Sequence, residues 1–138
     1  MGGWVCLKAL QKISNVKKGF ALSTWNIYGD FKNIKTQQQI IKKVKEEGGD
    51  IFVLNTPNNE IFETVVKDPN YFNLTNDAEA LSNKQIIMLD EHSDNKEIAT
   101  SIKSSNKSYF DYQVWQTDHP FSNKRISLIN RVLEFLNR

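Results

Sequence analysis

The sequence predicts an α/β fold built on a mostly parallel sheet. Short apolar runs, with Gln85-Ile86-Ile87-Met88-Leu89 the clearest, read as buried strands. Between them lie segments whose apolar residues recur at helical spacing, and strands separated by helices argue for a parallel sheet covered on both faces. The length, 138 residues, fits one domain whose folding buries roughly two thirds of the unfolded surface. Apolar residues make up 39% and charged residues 25%, the balance of a soluble globular chain.

Trp4, Val5, Leu7, Ala9 and Leu10 predict a short helix that is apolar nearly all round, hence buried. Ser14-Asn15 breaks it, and Phe20-Ala21-Leu22 after Gly19 predicts a short buried strand. Trp25 to Asn33 reads as an aromatic-rich loop. Thr36 is placed to N-cap a helix carrying Ile40, Ile41 and Val44, which Gly48-Gly49 ends. Asp50 to Leu54 predicts a further strand. Pro57-Asn58-Asn59 opens a helix with Ile61, Phe62, Val65 and Val66 on its apolar side, stopped at Asp68-Pro69. Tyr71, Phe72 and Leu74 begin a turn or short helix that runs to Leu81. Asn95 to Ser104 predicts a short helix. Tyr109 to Trp115 predicts a strand with Phe110, Tyr112 and Val114 on one side. Ile126, Ile129, Val132, Leu133 and Leu136 make the apolar stripe of a closing amphipathic helix.

Charge excludes some functions. The net charge is +2, with acids interspersed among the lysines, so no nucleic-acid footprint stands out. Lys42-Lys43-Val44-Lys45 reads as the solvated face of a helix. No apolar run approaches the roughly 18 residues of a membrane span. The first residues carry no signal-peptide core. Met1-Gly2 is not a myristoylation start, because Cys6 stands where that motif needs Ser or Thr. The lone cysteine, Cys6, allows no internal disulfide and reads as a buried thiol.

Four segments carry the chemistry. Ile86-Ile87-Met88-Leu89 leads into Asp90-Glu91-His92-Ser93-Asp94. Thr117-Asp118-His119-Pro120-Phe121-Ser122 follows the last predicted strand and precedes Lys124-Arg125 and the closing helix. Met1-Gly2-Gly3-Trp4 precedes the first apolar helix, and Gly19-Phe20-Ala21-Leu22-Ser23-Thr24-Trp25 follows it. Taken in chain order the segments resemble the C-terminal part of an α/β-hydrolase, nearest to the acyl-peptidase, prolyl-oligopeptidase-like and esterase-like branches. The likeness covers nearly the whole chain and is weakest over about 26–66. In that family the nucleophilic serine sits in a G-x-S-x-G elbow, and the acid and the histidine follow later strands.

The resemblance implies a three-layer α/β/α arrangement forming the C-terminal half of that fold, with a small cap inserted at about 26–66. It implies a serine hydrolase that cleaves ester, amide or peptide bonds through an acyl-enzyme. His119 takes the role of general base and Asp94 that of the acid orienting it, with Glu91 or Asp90 as alternatives. The Met1 backbone N–H takes the oxyanion role, Gly2 stands where the elbow tolerates no side chain, and the nucleophile falls before Met1. No cofactor or metal is implied. A small acyl or peptide substrate is expected only when an N-terminal half completes the site.

Other readings of the same residues remain. Taken alone, His119 would be a surface histidine at a strand–helix turn; the ordered pattern around it argues for catalysis. Asp94 also suits an N-cap for the helix beginning at Asn95. His92 reads as an exposed loop residue. His92, Asp94, Asp118 and His119 could in principle hold a metal, but His-x-Asp and Asp-His spacings are weak signals for one. Trp25, Tyr28 and Phe31 fit cap or core packing better than an acyl pocket. Ser23, Ser93 and Ser122 lie outside any G-x-S-x-G. The alternative from another class is a non-catalytic α/β module that binds a partner, or a second copy, through an exposed strand edge.

Overall fold

Ile86 to Leu89 carries no polar side chain, so both of its faces can be buried, and it becomes the centre of the sheet. In the computed structural model, which describes residues 1–47 and 58–138, β2 spans Gln85–Asp90. It is flanked by β1, Lys18–Leu22, and β3, Tyr109–Val114. Both neighbours run parallel to β2, in the order β1-β2-β3. The register sets Phe20 opposite Ile87 and Met88 opposite Tyr112. The chain is therefore mixed α/β with a parallel sheet, three-stranded among the described residues. Asp50 to Leu54, expected as a strand, lies outside them.

The period of two along β2 divides its side chains between two apolar clusters. Ile86 and Met88 join Leu7 and Leu10 of α1 (Gly2–Lys12) and Ile98, Ala99 and Ile102 of α5 (Lys96–Ser105). Ile87 and Leu89 join Phe121 and Phe135, the latter from α6 (Arg125–Leu136). Phe20 and Tyr109 pack against that second cluster, and the Phe20 ring meets Phe135 edge-on at 5.9 Å. On the α1 side two lysines are drawn in with partners. Lys8 Nζ lies 2.8 Å from Asp77 Oδ2, and Gln11 donates to Asp77 Oδ1 at 2.7 Å. Breaking such a buried pair leaves an uncompensated charge, which costs more than the pair contributes. Lys84 donates to the carbonyls of Ile13, Ser14 and Val16, satisfying backbone groups where α1 has ended.

The chain divides into two compact units, one of residues 1–26 and 74–138 and one of 27–73. The sheet belongs to the first. The second begins where the inserted segment was expected and runs on to Asn73. It contains α2 (Ile27–Phe31), α3 (Gln37–Glu47) and α4 (Asn58–Lys67). The α3 start is a capping box: Gln39 N–H donates to Thr36 Oγ1, and Gln39 Oε1 accepts from Thr36 N–H at 3.0 Å. Phe31 and Phe62 meet at 5.0 Å and are both buried, which makes Phe31 a core residue of this unit. Expecting only a loop from Trp25 to Asn33 missed α2. The aromatics at 25, 28 and 31 are three apart, a helical spacing.

The closing helix forms where expected, but the wall it presents to the sheet is not its main apolar stripe. Phe135 is buried and Leu128 packs beside it, while Arg131 reaches Tyr109 and Asp111 of β3. Ile126, Ile129, Leu133 and Leu136 are 78%, 57%, 52% and 59% exposed. A helix apolar on both sides is one that normally meets a second covering surface. β1 likewise pairs with β2 alone among the described residues, leaving its other edge open.

Close approach of α1 to the sheet depends on glycine at one place and not at its neighbour. A Cβ on Gly3 would stand 2.6 Å from the Leu22 carbonyl oxygen and 2.9 Å from Thr24 Cα. A Cβ on Gly2 would meet nothing within 4 Å, so the position expected to exclude a side chain has room for one. The crowding falls on Gly3 because that residue faces the carboxyl end of β1. Gly3→Ala is expected to lower stability by about 1–3 kcal/mol, the range for overpacking against a backbone that cannot yield. Gly2→Ala should be neutral or stabilising by up to ~1 kcal/mol, the helix-propensity difference. Urea midpoints of the two variants check both.

Candidate active site

Parallel strands put their carboxyl ends on one side, and loops leaving that side gather there. β1 ends at Leu22 and β2 at Asp90, while the turn holding His119 follows β3. The ladder continues one step past each strand: Ser23 N–H donates to Leu89 O at 3.0 Å, and Trp115 N–H to Asp90 O at 2.9 Å. Ser23, Glu91 and the loop to His119 are thereby held next to one another.

Asp90 is the anchor of this edge. Its side chain is buried, and Oδ1 accepts the Thr24 N–H at 2.8 Å. Oδ2 accepts from Asn95 Nδ2 at 2.9 Å, and the same amide reaches Thr24 O at 2.6 Å. Burial pushes the Asp90 carboxyl up; the Thr24 and Asn95 hydrogen bonds oppose this, and the charges of Glu91 and Asp94 add to it. Tyr112, beneath the same acidic turn, is pushed up to about 12, first by burial and then by Asp90 and Asp94. Asp90 therefore acts inside the fold, holding the end of β1 to the start of α5.

His119 is positioned by its own turn. Asp118 O accepts the Phe121 N–H at 2.9 Å, and Asp118 Oδ1 accepts the Ser122 N–H at 2.6 Å. Phe121 takes a left-handed φ of 55° and is buried against Trp115, ring to ring at 6.2 Å. Burial of this ring offsets the backbone strain of a non-glycine residue there, about 1–3 kcal/mol. The result is an imidazole whose side chain is 74% exposed but pinned at one nitrogen: Nδ1 lies 2.6 Å from Glu91 Oε1.

The carboxylate on His119 is thus Glu91, one of the open alternatives, and not Asp94. Asp94 lies in a 3-10 turn, Ser93–Asn95, and is exposed; its backbone carbonyl accepts from Asn26 at 3.5 Å. It makes no side-chain N-cap bond either: α5 begins after Asn95, which itself makes no side-chain cap bond. Glu91 is mostly buried, its side chain 9% exposed. Burial works to raise its carboxyl, yet hydrogen bonds from His119 and Ser23 outweigh this and hold it below the usual glutamate range. The Ser23 hydroxyl donates to Glu91 Oε2 at 2.8 Å, a contact sequence reasoning passed over when it set Ser23 aside for lack of an elbow. His92 and Ser93 are exposed, as is Ser122. Met1, assigned the oxyanion role, has an amine that burial pushes down against the opposing pull of the Glu91 charge, and its carbonyl accepts the Val5 N–H of α1 at 3.1 Å.

Chemically, a neutral imidazole whose Nδ1–H is taken by a carboxylate presents Nε2 as an acceptor. That is the state of a general base, and the carboxylate stabilises the cation formed when a proton is taken. A shallow cleft is lined by Glu91, His92, Ser93, Asp94 and Val114, with Glu91 as the member of the pair that it reaches. Among the described residues no group of three or more His, Cys, Asp or Glu is arranged to hold a metal ion, and no helix is long and apolar enough to cross a membrane. No family model, curated protein or solved structure matches the chain.

The lowered Glu91 carboxyl makes a stability prediction. A depressed folded-state value contributes stability above the unfolded value, about 4.3 for glutamate, and loses it as pH falls through the folded value. Glu91→Gln should therefore flatten the acid limb of the stability curve below about pH 4.3. Thermal melts of both proteins between neutral and acid pH read this directly. Parallel curves would show that Glu91 titrates alike in the folded and unfolded chains.

Proposed function

We propose that this chain is the C-terminal part of an α/β-hydrolase-type serine hydrolase, supplying its acid and base. Ester, amide or peptide bonds would be cleaved through an acyl-enzyme. The observation that carries the reading is the His119 Nδ1–Glu91 Oε1 hydrogen bond of 2.6 Å, made by loops at the carboxyl ends of adjacent parallel strands. In these roles His119 is the base, with Glu91 rather than Asp94 as its orienting acid. A three-layer arrangement accords with the two clusters on opposite faces of β2, α1 and α5 against one and α6 against the other. The nucleophile would come from a G-x-S ending immediately before Met1, followed by the Met1 N–H as oxyanion donor. No cofactor enters this chemistry.

Acid and base without a nucleophile give little rate enhancement, so the 138-residue chain should not hydrolyse activated esters above background. Extension upstream in the reading frame through a G-x-S should create activity toward p-nitrophenyl esters. His119→Ala in that extended protein should then lower kcat on the order of 10⁶-fold. An upstream sequence without the elbow overturns the proposal. Turnover by the 138-residue chain itself, lost in His119→Ala, would instead place a nucleophile among its own serines, Ser23 first.

The edge of β1 that meets no other strand among the described residues, with the exposed Ile126, Ile129, Leu133 and Leu136, favours a second reading as well, a binding module that associates through its edge. Light scattering after size exclusion should find the isolated chain self-associated at micromolar concentration. A cooperatively folding monomer would mean that the edge and the helix face need no cover.

A further inference from the structure

We propose that Ser23 is a positioning residue for the His119–Glu91 pair, its hydroxyl orienting the carboxylate that holds the imidazole. This rests on the reading of that pair as acid and base. Glu91 Oε1 faces His119 Nδ1 at 2.6 Å, and Oε2 accepts the Ser23 hydroxyl at 2.8 Å. A glutamate has three side-chain torsions, and a carboxylate held at one oxygen can still swing about its last one. Held at both, it is fixed in the plane that serves the histidine.

Ser23 is itself held firmly. Its N–H bonds to Leu89 O, and the next residue's N–H is taken by buried Asp90. Between these anchors its φ is 46°, in the left-handed region, where serine is uncommon. An outlier of this kind persists only where its surroundings over-determine it, and such residues gather at functional sites. The strained conformation also turns the hydroxyl toward the His119 loop, whose carbonyl oxygen lies 3.5 Å away. One hydroxyl proton serves one acceptor well, and the nearer and charged one is Glu91. The Ser23 contacts run to the carboxylate and to the His119 backbone, so it acts through Glu91 as an orienter of the acid. The geometry gives it the place of a fourth member behind the base.

The test uses the chain as it stands and reads the imidazole tautomer by ¹⁵N NMR at neutral pH, with His92→Ala assigning the two rings. In the parent protein His119 should favour the Nδ1–H form. Ser23→Gly removes the hydroxyl while keeping the left-handed backbone, which glycine adopts freely. It should lower the Nδ1–H to Nε2–H ratio roughly fivefold, the size of one net hydrogen bond, with an undiminished thermal melt. Ser23→Gly with an unchanged ratio overturns the proposal, as does a ratio that changes only because the variant has lost its cooperative melt. Glu91→Ala separates this from the reading beneath it. If Glu91→Ala abolishes the tautomer preference and Ser23→Gly leaves it intact, Ser23 is not an orienter while the acid–base pair stands. If Glu91→Ala leaves the preference unchanged, the pair itself is wrong and the Ser23 role falls with it.

Discussion

The hydrogen-bonded knot around Asp90 is what the edge of this molecule depends on. One buried carboxylate joins three pieces of chain: the end of β2 that carries it, the Thr24 amide just past β1, and Asn95 at the entry to α5. Two of these partners are on segments far apart in sequence, so the knot closes the sheet's carboxyl end as a unit. Its cost is the desolvation of a charge, visible in the raised Asp90 carboxyl. Three hydrogen bonds in a buried setting, two of them to the carboxylate, offset that cost, and leaving any of their groups unpaired would be expensive.

The geometry of the candidate site follows from that knot. With Thr24 clasped, Ser23 is left between two fixed amides and takes its left-handed conformation. With Asp90 turned inward, the residue just past β2, Glu91, meets the Ser23 hydroxyl on one oxygen and His119 on the other. The His119 turn is built independently, from Asp118 and the buried Phe121 ring. The pair therefore forms where two loops meet, each with anchoring contacts of its own.

Much of this was legible in the sequence. β2, the cap of α3 at Thr36 and the existence of α6 follow from apolar runs, capping chemistry and period, each a local signal. That the Asp90–Asp94 segment and the His119 turn follow successive strands was legible too, because parallel neighbours bring both to one end. Which acid was not. Asp90, Glu91 and Asp94 lie within five residues, and the choice among them depends on the 3-10 turn at Ser93–Asn95 and on Asp90 being spent on Thr24. Those are tertiary facts with no periodicity to betray them. The same holds for Gly2 and Gly3, adjacent and alike in sequence, where only the approach of α1 to β1 makes one indispensable. For α6 the stripe at Ile126, Ile129, Leu133 and Leu136 was evident, but the sheet selected the side bearing Phe135.

The claim on which the account rests is that His119 is held by Glu91. A crystal structure of the chain at a resolution that fixes side-chain rotamers tests it most directly. The account predicts His119 Nδ1 within hydrogen-bond distance of a Glu91 carboxylate oxygen, with the Ser23 hydroxyl on the other oxygen and Asp90 on the Thr24 amide. An imidazole bonded instead to Asp94, or standing apart from all three acids, would contradict it.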